Sequence, residues 1–199
     1  MTEWDRGMVH AEQPPTVAIV GAGPAGLAAA IELGTRGISC ILLERTERGG
    51  HAPRAKTTHT RTREHLRRWG IADKLAAASP FGVDYPSNVN FVTRLGGKPI
   101  KRFENALQCS PQRDERYSEH SQWIPQYKLE EVLRAHAATL PSIAFRYNAE
   151  YLDFTQDEDG VDVRFRDSAS GENLQLRAGY LIGADGARSK VRDDIGARR

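Results

Sequence analysis

The chain has 199 residues, with 28 Lys and Arg against 26 Asp and Glu, for a net charge of +2. That balance excludes the strong basic excess of a nucleic-acid binder, and the length suits one well-buried domain and is marginal for two. A hydrophobic share of 39% with 18 glycines is ordinary for a globular chain and argues against disorder, collagen and coiled coil. Two cysteines, Cys40 and Cys109, are too few for a disulfide framework and point to a reducing, cytoplasmic compartment.

Residues 1–13 read as a loose polar tail, without the apolar core a signal peptide needs. The apolar stretch from Val17 to Leu33 is interrupted by Gly21, Gly23, Pro24 and Gly26, which suits a strand, a tight turn and a helix better than a membrane span. Thr16–Val20 is predicted as a strand buried on both faces, and Pro24 to about Arg36 as a helix with Leu27, Ala30 and Ile31 on one side. Gly37 stops it, and Ser39–Glu44 is a second buried strand. Strand, helix and strand make a βαβ unit with a right-handed crossover and a parallel sheet.

Thr58–Trp69 is predicted helical, with Thr62, Leu66 and Trp69 on one face, and its patch RTREHLRR reads as a solvated side. Asn90–Phe103 reads as a hairpin around Gly96-Gly97, and 104–122 as a polar loop. Tyr127–Leu140 is an amphipathic helix bounded by Pro125 and Pro141, carrying Leu129, Val132, Leu133, Ala137 and Leu140 on one side. Three alternating runs follow, on Leu152 and Phe154, on Val161, Val163 and Phe165, and on Leu174 and Leu176. Joined by turns, they predict an antiparallel meander with one wet face. Tyr180–Gly183 is again a continuous apolar strand, followed by Ala184-Asp185-Gly186 and a short helix near Arg188. The fold class is therefore α/β, with a Rossmann-like βαβ core, a parallel sheet and an antiparallel meander.

The turn VGAGPAG places G-x-G-x-x-G on Gly21, Gly23 and Gly26, between predicted strand and helix, the context that gives the pattern meaning. Gly21 permits the tight turn, Gly23 lets a pyrophosphate approach the backbone, and Gly26 lets the helix pack on the strand. Ala22, Pro24 and Ala25 complete the turn, and free amides at the helix start, with the helix dipole, suit an anion. Glu44 closes the second strand, where an acid can accept from both ribose hydroxyls of an adenosine and would repel a 2′-phosphate. It is otherwise a solvated strand end. Arg45 either flanks the adenine or is a surface charge. These residues imply a dinucleotide, FAD or NAD. His59 and His65 lack a partner at metal-ligand spacing, Cys40 reads as core packing, and Cys109 lies in the polar loop with nothing to lower its pKa. No catalytic acid–base set can be named.

Two further stretches, PRAKTTHTRTREHLRRWGIADKL (53–75) and YLIGADGARSKVR (180–192), accompany GAGPAG and the Gln126, Leu129, Glu130, Leu133 pattern of PQYKLEEVL. Together they resemble the FAD-dependent aromatic hydroxylases, single-component flavoprotein monooxygenases of the 4-hydroxybenzoate and phenol hydroxylase type. The resemblance runs from about Thr16 to Ile195. It implies FAD on the Gly21–Gly26 turn and Glu44, and Arg54 near the flavin and the nicotinamide donor. It places Gln126 at a helix start touching FAD, and Asp185 and Gly186 on the flavin ribityl side. Without it, Arg54 is a loop arginine in a surface ion pair, Gln126 a helix cap, and Asp185-Gly186 a turn. It further implies that NADH or NADPH reduces the FAD. The reduced flavin then meets O2 to give a flavin hydroperoxide, which hydroxylates a small aromatic substrate.

On this reading residues 14–80 form the FAD-binding βαβ core, 81–124 a substrate-facing insertion, and 125–199 the continuation of the FAD-binding domain. Family members continue past the Asp-Gly motif with more substrate-domain sheet and a Gly-Asp motif that closes over the FAD. The expectation for a chain ending at Arg199 is a truncated product that binds FAD weakly alone and does not hydroxylate, completed by a second chain or a homo-oligomer. A non-catalytic nucleotide-binding module and an NAD-dependent dehydrogenase are the alternatives. An antiparallel meander stands against the second, which calls for further parallel βα units.

Overall fold

A computed structural model describes residues 14–47, 55–82, 85–111 and 114–197. In chain order the elements are β1 (Val17–Val20), α1 (Pro24–Gly34), β2 (Cys40–Leu43), β3 (Thr57–Thr58), α2 (Thr60–Arg68), α3 (Ala72–Ala78), β4 (Val89–Val92) and β5 (Pro99–Phe103). There follow β6 (Gln122–Trp123), α4 (Gln126–Ala137), β7 (Ile143–Arg146), β8 (Ala149–Gln156), β9 (Val161–Asp167), β10 (Asn173–Ala178), β11 (Tyr180–Gly183) and α5 (Lys190–Asp194). They fall into two compact units, one drawn from residues 1–49 and 133–199, the other from 50–132.

The first unit is built on a four-stranded parallel sheet in the order β11-β1-β2-β7. All four residues of β1 and all four of β2 are buried, as continuous apolar runs covered on both faces require. Side chains alternate between the faces. Ala18, Val20, Ile41 and Leu43 join one cluster with Ala149, Tyr151, Val161, Val163, Phe165 and Leu176 of the meander. On the opposite face, the Cys40 thiol approaches the Ala30 carbonyl of α1 at 3.9 Å. Leu27, Ala30 and Ile31 are fully buried, the face read from the sequence. The crossover helix ends at Gly34, two residues before its predicted end near Arg36, and Ile38 N–H donates to the Leu33 carbonyl beyond it.

The meander is antiparallel in the order β10-β9-β8. Its first strand departs from the predicted phase. Ala149 and Tyr151 are buried and Leu152 is only half-buried, whereas Phe154 packs on the core. A bulge between Tyr151 and Asp153 accounts for this, since one extra residue moves every later side chain to the other face. The fourth parallel strand, β7, was not predicted at all. Its sequence IAFR is short, follows Pro141, and carries only Ile143 buried, so its pattern is too brief to separate from a loop.

In the second unit β3 pairs antiparallel with β6, and Ile124 N–H and Gln126 N–H continue the pairing to Lys56 and Ala55 carbonyls. Thr58 thus belongs to a strand, and the helix predicted over 58–69 runs only from Thr60 to Arg68. A further helix, α3, was missed, although Ile71 and Leu75 are buried. The solvated-side reading of RTREHLRR also fails at one position. Arg63 is 3% exposed and donates to the Ala72 carbonyl, the Gln122 side chain and, at 2.8 Å, the Glu119 carboxylate. Cys109, in the stretch read as a polar loop, is buried. The hairpin β4–β5 forms as predicted, with Phe91 and Phe103 edge to face and every strand residue exposed. Helix α4 starts one residue earlier and ends three residues before the predicted span, and it buries Glu130 beside Leu133 and Ala137. No helix among the described residues is long and apolar enough to cross a membrane.

Candidate functional site

The glycine-rich turn sits where β1 hands over to α1. Gly21 N–H donates to the Leu43 carbonyl of β2 at 2.8 Å, which ties the start of the turn to the neighbouring strand. Gly21 has φ +101°, a conformation that only glycine adopts without strain. A β-carbon there would lie 2.5 Å from the Ala184 carbonyl oxygen and 3.1 Å from the Asp185 α-carbon. A β-carbon on Gly26 would run into the Gly21 carbonyl oxygen. The two glycines therefore close the turn against the helix on one side and against the segment after β11 on the other. The helix ladder begins with Leu27 N–H on the Gly23 carbonyl at 2.9 Å. The amides of Ala25 and Gly26 precede that bond, and Pro24 has none to leave unpaired, so the helix opens on donors.

Glu44 follows β2 directly, and its backbone is held from both directions. Its N–H donates to the Arg146 carbonyl and its carbonyl accepts from Ala149 N–H, both at 2.9 Å. The side chain, 8% exposed, turns toward the glycine turn, where Oε2 accepts from Ala22 N–H at 2.8 Å. Oε1 accepts from the Thr46 amide and hydroxyl at 3.3 Å. The carboxylate thus joins the strand end to the turn.

The third part comes from the far end of the chain. β11 runs parallel to β1, pairing Val17 with Tyr180 and Val20 with Gly183, and Ala184 N–H donates to the Val20 carbonyl at 2.8 Å. This register delivers Ala184-Asp185-Gly186 to the glycine turn. The Asp185 carboxylate accepts from the Ser189 hydroxyl and from the amides of Lys190 at 2.7 Å and Val191 at 3.2 Å. Ser189 in turn caps α5 by accepting from Arg192 N–H at 3.0 Å. Gly186 is exposed with φ +89°.

Of the residues singled out in the sequence, Gly21, Ala22, Gly23, Pro24, Ala25, Gly26, Glu44, Asp185 and Gly186 fall in one neighbourhood of the first unit. Arg45 is exposed beside it. Gln126 opens α4 in the other unit, where its side-chain amide donates to Glu130 at 2.8 Å. Arg54 lies outside the described residues. Sequence reasoning did not find the contribution of Ala184, a small residue whose carbonyl fills the space a side chain on Gly21 would need. A groove of about 770 Å³ borders β11 and includes Gly186 and Ser189, but none of the turn residues 21–26 and not Glu44.

Residues 15–199 match the FAD binding domain family. The chain is similar to phenol 2-monooxygenase of Pseudomonas sp. (strain EST1001), 40% identical over 90% of this chain and 30% of that one. It is also similar to 2,4-dichlorophenol 6-monooxygenase of Cupriavidus pinatubonensis, 35% identical over 90% of this chain and 30% of that one. Among solved structures, the flavin-dependent monooxygenase PieE in complex with FAD and substrate superposes with a TM-score of 0.81 at 34% identity, covering 92% of this chain and 32% of that one. The chain spans about a third of the length of these relatives. With a glycine turn, a strand-end acid and an Asp-Gly segment joined through one parallel sheet, this chain belongs to the FAD binding domain family.

Proposed function

We propose that this chain is the FAD-binding part of an NAD(P)H-dependent monooxygenase that hydroxylates a small phenolic substrate with O2. The observation that carries the reading is the Glu44 carboxylate, seated 2.8 Å from the Ala22 amide at the mouth of the glycine turn. An acid in that place offers oxygens to the ribose hydroxyls of an adenosine, while the turn amides and the start of α1 face its diphosphate. At Gly21 and Gly26 backbone packs directly on backbone, which gives the turn its shape and would be lost with any side chain. FAD supplies the electron transfer and oxygen chemistry, and the protein supplies binding, orientation and exclusion of water. Glu44 disfavours a 2′-phosphate at this turn, so the donor, NADH or NADPH, engages elsewhere. The unpaired Cys40 and Cys109 support a reducing, cytoplasmic setting.

The monooxygenases that this chain matches are about three times its length, so hydroxylation is proposed for a site completed by further length, a second chain or a second copy. The test is a flavin titration of the purified chain. Quenching of FAD fluorescence that saturates, and that weakens at least tenfold in Glu44→Ala, supports the reading. Tight binding of NAD with no response to FAD would replace it with the dehydrogenase alternative.

A further inference from the structure

We propose that the β4–β5 hairpin is an interfacial anchor, which sets its tip into the headgroup layer of an anionic lipid surface. The inference is independent of the flavin reading, and its test needs no cofactor.

The hairpin rises from a fixed base. The Ser87 carbonyl accepts from Ala106 N–H at 2.9 Å, the Ser87 hydroxyl donates to Asn105 Oδ1 at 3.0 Å, and the Asn88 side chain accepts from Asn105 N–H at 3.0 Å. Beyond that base every residue of both strands is exposed. A lone two-stranded ribbon is marginal in water, so apolar side chains exposed along it call for a cover. The tip closes with Gly97 N–H on the Arg94 carbonyl at 2.8 Å and Gly96 at φ +71°, which leaves Leu95 99% exposed. The pairing register puts Val89, Phe91 and Phe103 on one face, and alternation puts Ile100, 67% exposed, on the other. Apolar groups therefore line both faces of the ribbon and crown its turn.

Charge selects the occupant. Arg94, Lys98, Lys101 and Arg102 lie between Val89 and Phe103, with no acid among them. That stretch carries a charge of +4, against +2 for the whole chain. Glu104, just past it, offsets Arg102 at 3.5 Å. A second copy would bring like charges together, and a rigid protein surface covers one face of a ribbon. A fluid anionic interface takes both faces and the tip at once. Leu95 and the aromatic rings then enter the acyl boundary, while the long cationic side chains reach the lipid phosphates.

Sedimentation of the full chain with vesicles tests the anchor, using phosphatidylcholine alone and an equimolar mixture with phosphatidylserine. The expected result is at least about tenfold stronger binding to the anionic vesicles, weakening as salt is added. Leu95→Asp, and Arg94→Gln combined with Lys98→Gln, should each lose at least about tenfold, with the melting temperature unchanged because the tip is exposed. Arg61→Gln combined with Lys74→Gln removes the same charge from α2 and α3 and should stay within about threefold of the parent. An equal loss in that control overturns the anchor, as do tip variants that bind like the parent. So does a parent chain that ignores both vesicles or binds them equally, whether it stays alone, pairs with itself or binds polyglutamate through the same residues.

Discussion

Gly21 and Ala184 touch through backbone alone, the carbonyl of the second occupying the place where the first would carry a side chain. The contact binds the glycine turn to the segment after β11, and it explains why the turn needs glycine for two separate reasons, space and φ. Gly21→Ala must meet both. The expected result is a loss of about 2 kcal/mol or more in folding stability, from strain at positive φ and displacement of a paired backbone. It should also abolish FAD binding. Urea unfolding and flavin titration check it, and a variant of parental stability would show that the backbone yields.

Arg63 gives a test in the other unit. Its guanidinium is buried between α2, the start of α3 and β6, paired with Glu119 and bonded to Gln122 and Ala72. Removing Arg63 strips Glu119 of its close partner and leaves it only Arg67 at 4.0 Å, so Arg63→Met is expected to cost about 3 kcal/mol. Arg61, on the same helix but exposed and paired with Glu64, should cost less than about 1 kcal/mol when changed to Met. Chemical denaturation of the two variants makes the comparison.

Tyr151 predicts an alkaline limit. Burial, with the Asp194 carboxylate accepting its hydroxyl hydrogen, holds its pKa well above the ordinary 10.0. The folded state therefore favours the neutral phenol. That stability is fully present below pH 10 and is lost as pH rises toward the folded pKa. Tyr151→Phe should lower stability at neutral pH by about 1 kcal/mol, through the lost hydrogen bond, and flatten the decline above pH 10. Thermal melts across pH 7 to about 11 give both slopes.

Asp167 predicts the acid limit. The amides of Ser170 and Ala169, with Arg146 beside them, hold its carboxyl below the ordinary 3.8. A depressed pKa contributes stability above 3.8 that disappears as pH falls through the lower folded value. Asp167→Asn should be less stable than the parent at neutral pH and should converge with it below pH 3.8, as followed by circular dichroism during acid titration.

The parts of the fold that follow a strong local period were legible. β1, α1 and β2 are almost continuously apolar and punctuated by Gly21, Gly23 and Gly26, so their pattern has one solution. What escaped depends on partners distant in sequence. Ile143–Arg146 is a strand because β2 lies beside it, not because of its own four residues. Arg63 is buried because Gln122 and Glu119 meet it from more than a helix away. Tyr151 rather than Leu152 enters the core because a bulge shifts the phase of β8, and no composition signals that bulge. At the site, the glycine turn and Glu44 were readable as a motif. The contact of Ala184 with Gly21 was not, since a small residue before Asp-Gly carries no chemistry of its own.

The pairing of Val17 with Tyr180 bears on how the protein is made. At roughly 5–20 residues per second, a ribosome finishes the later strand about ten to thirty seconds after the earlier one emerges. Throughout that interval a run of four wholly apolar side chains has one of its two neighbours missing. Slow codons placed before Tyr180 would lengthen that exposure rather than relieve it.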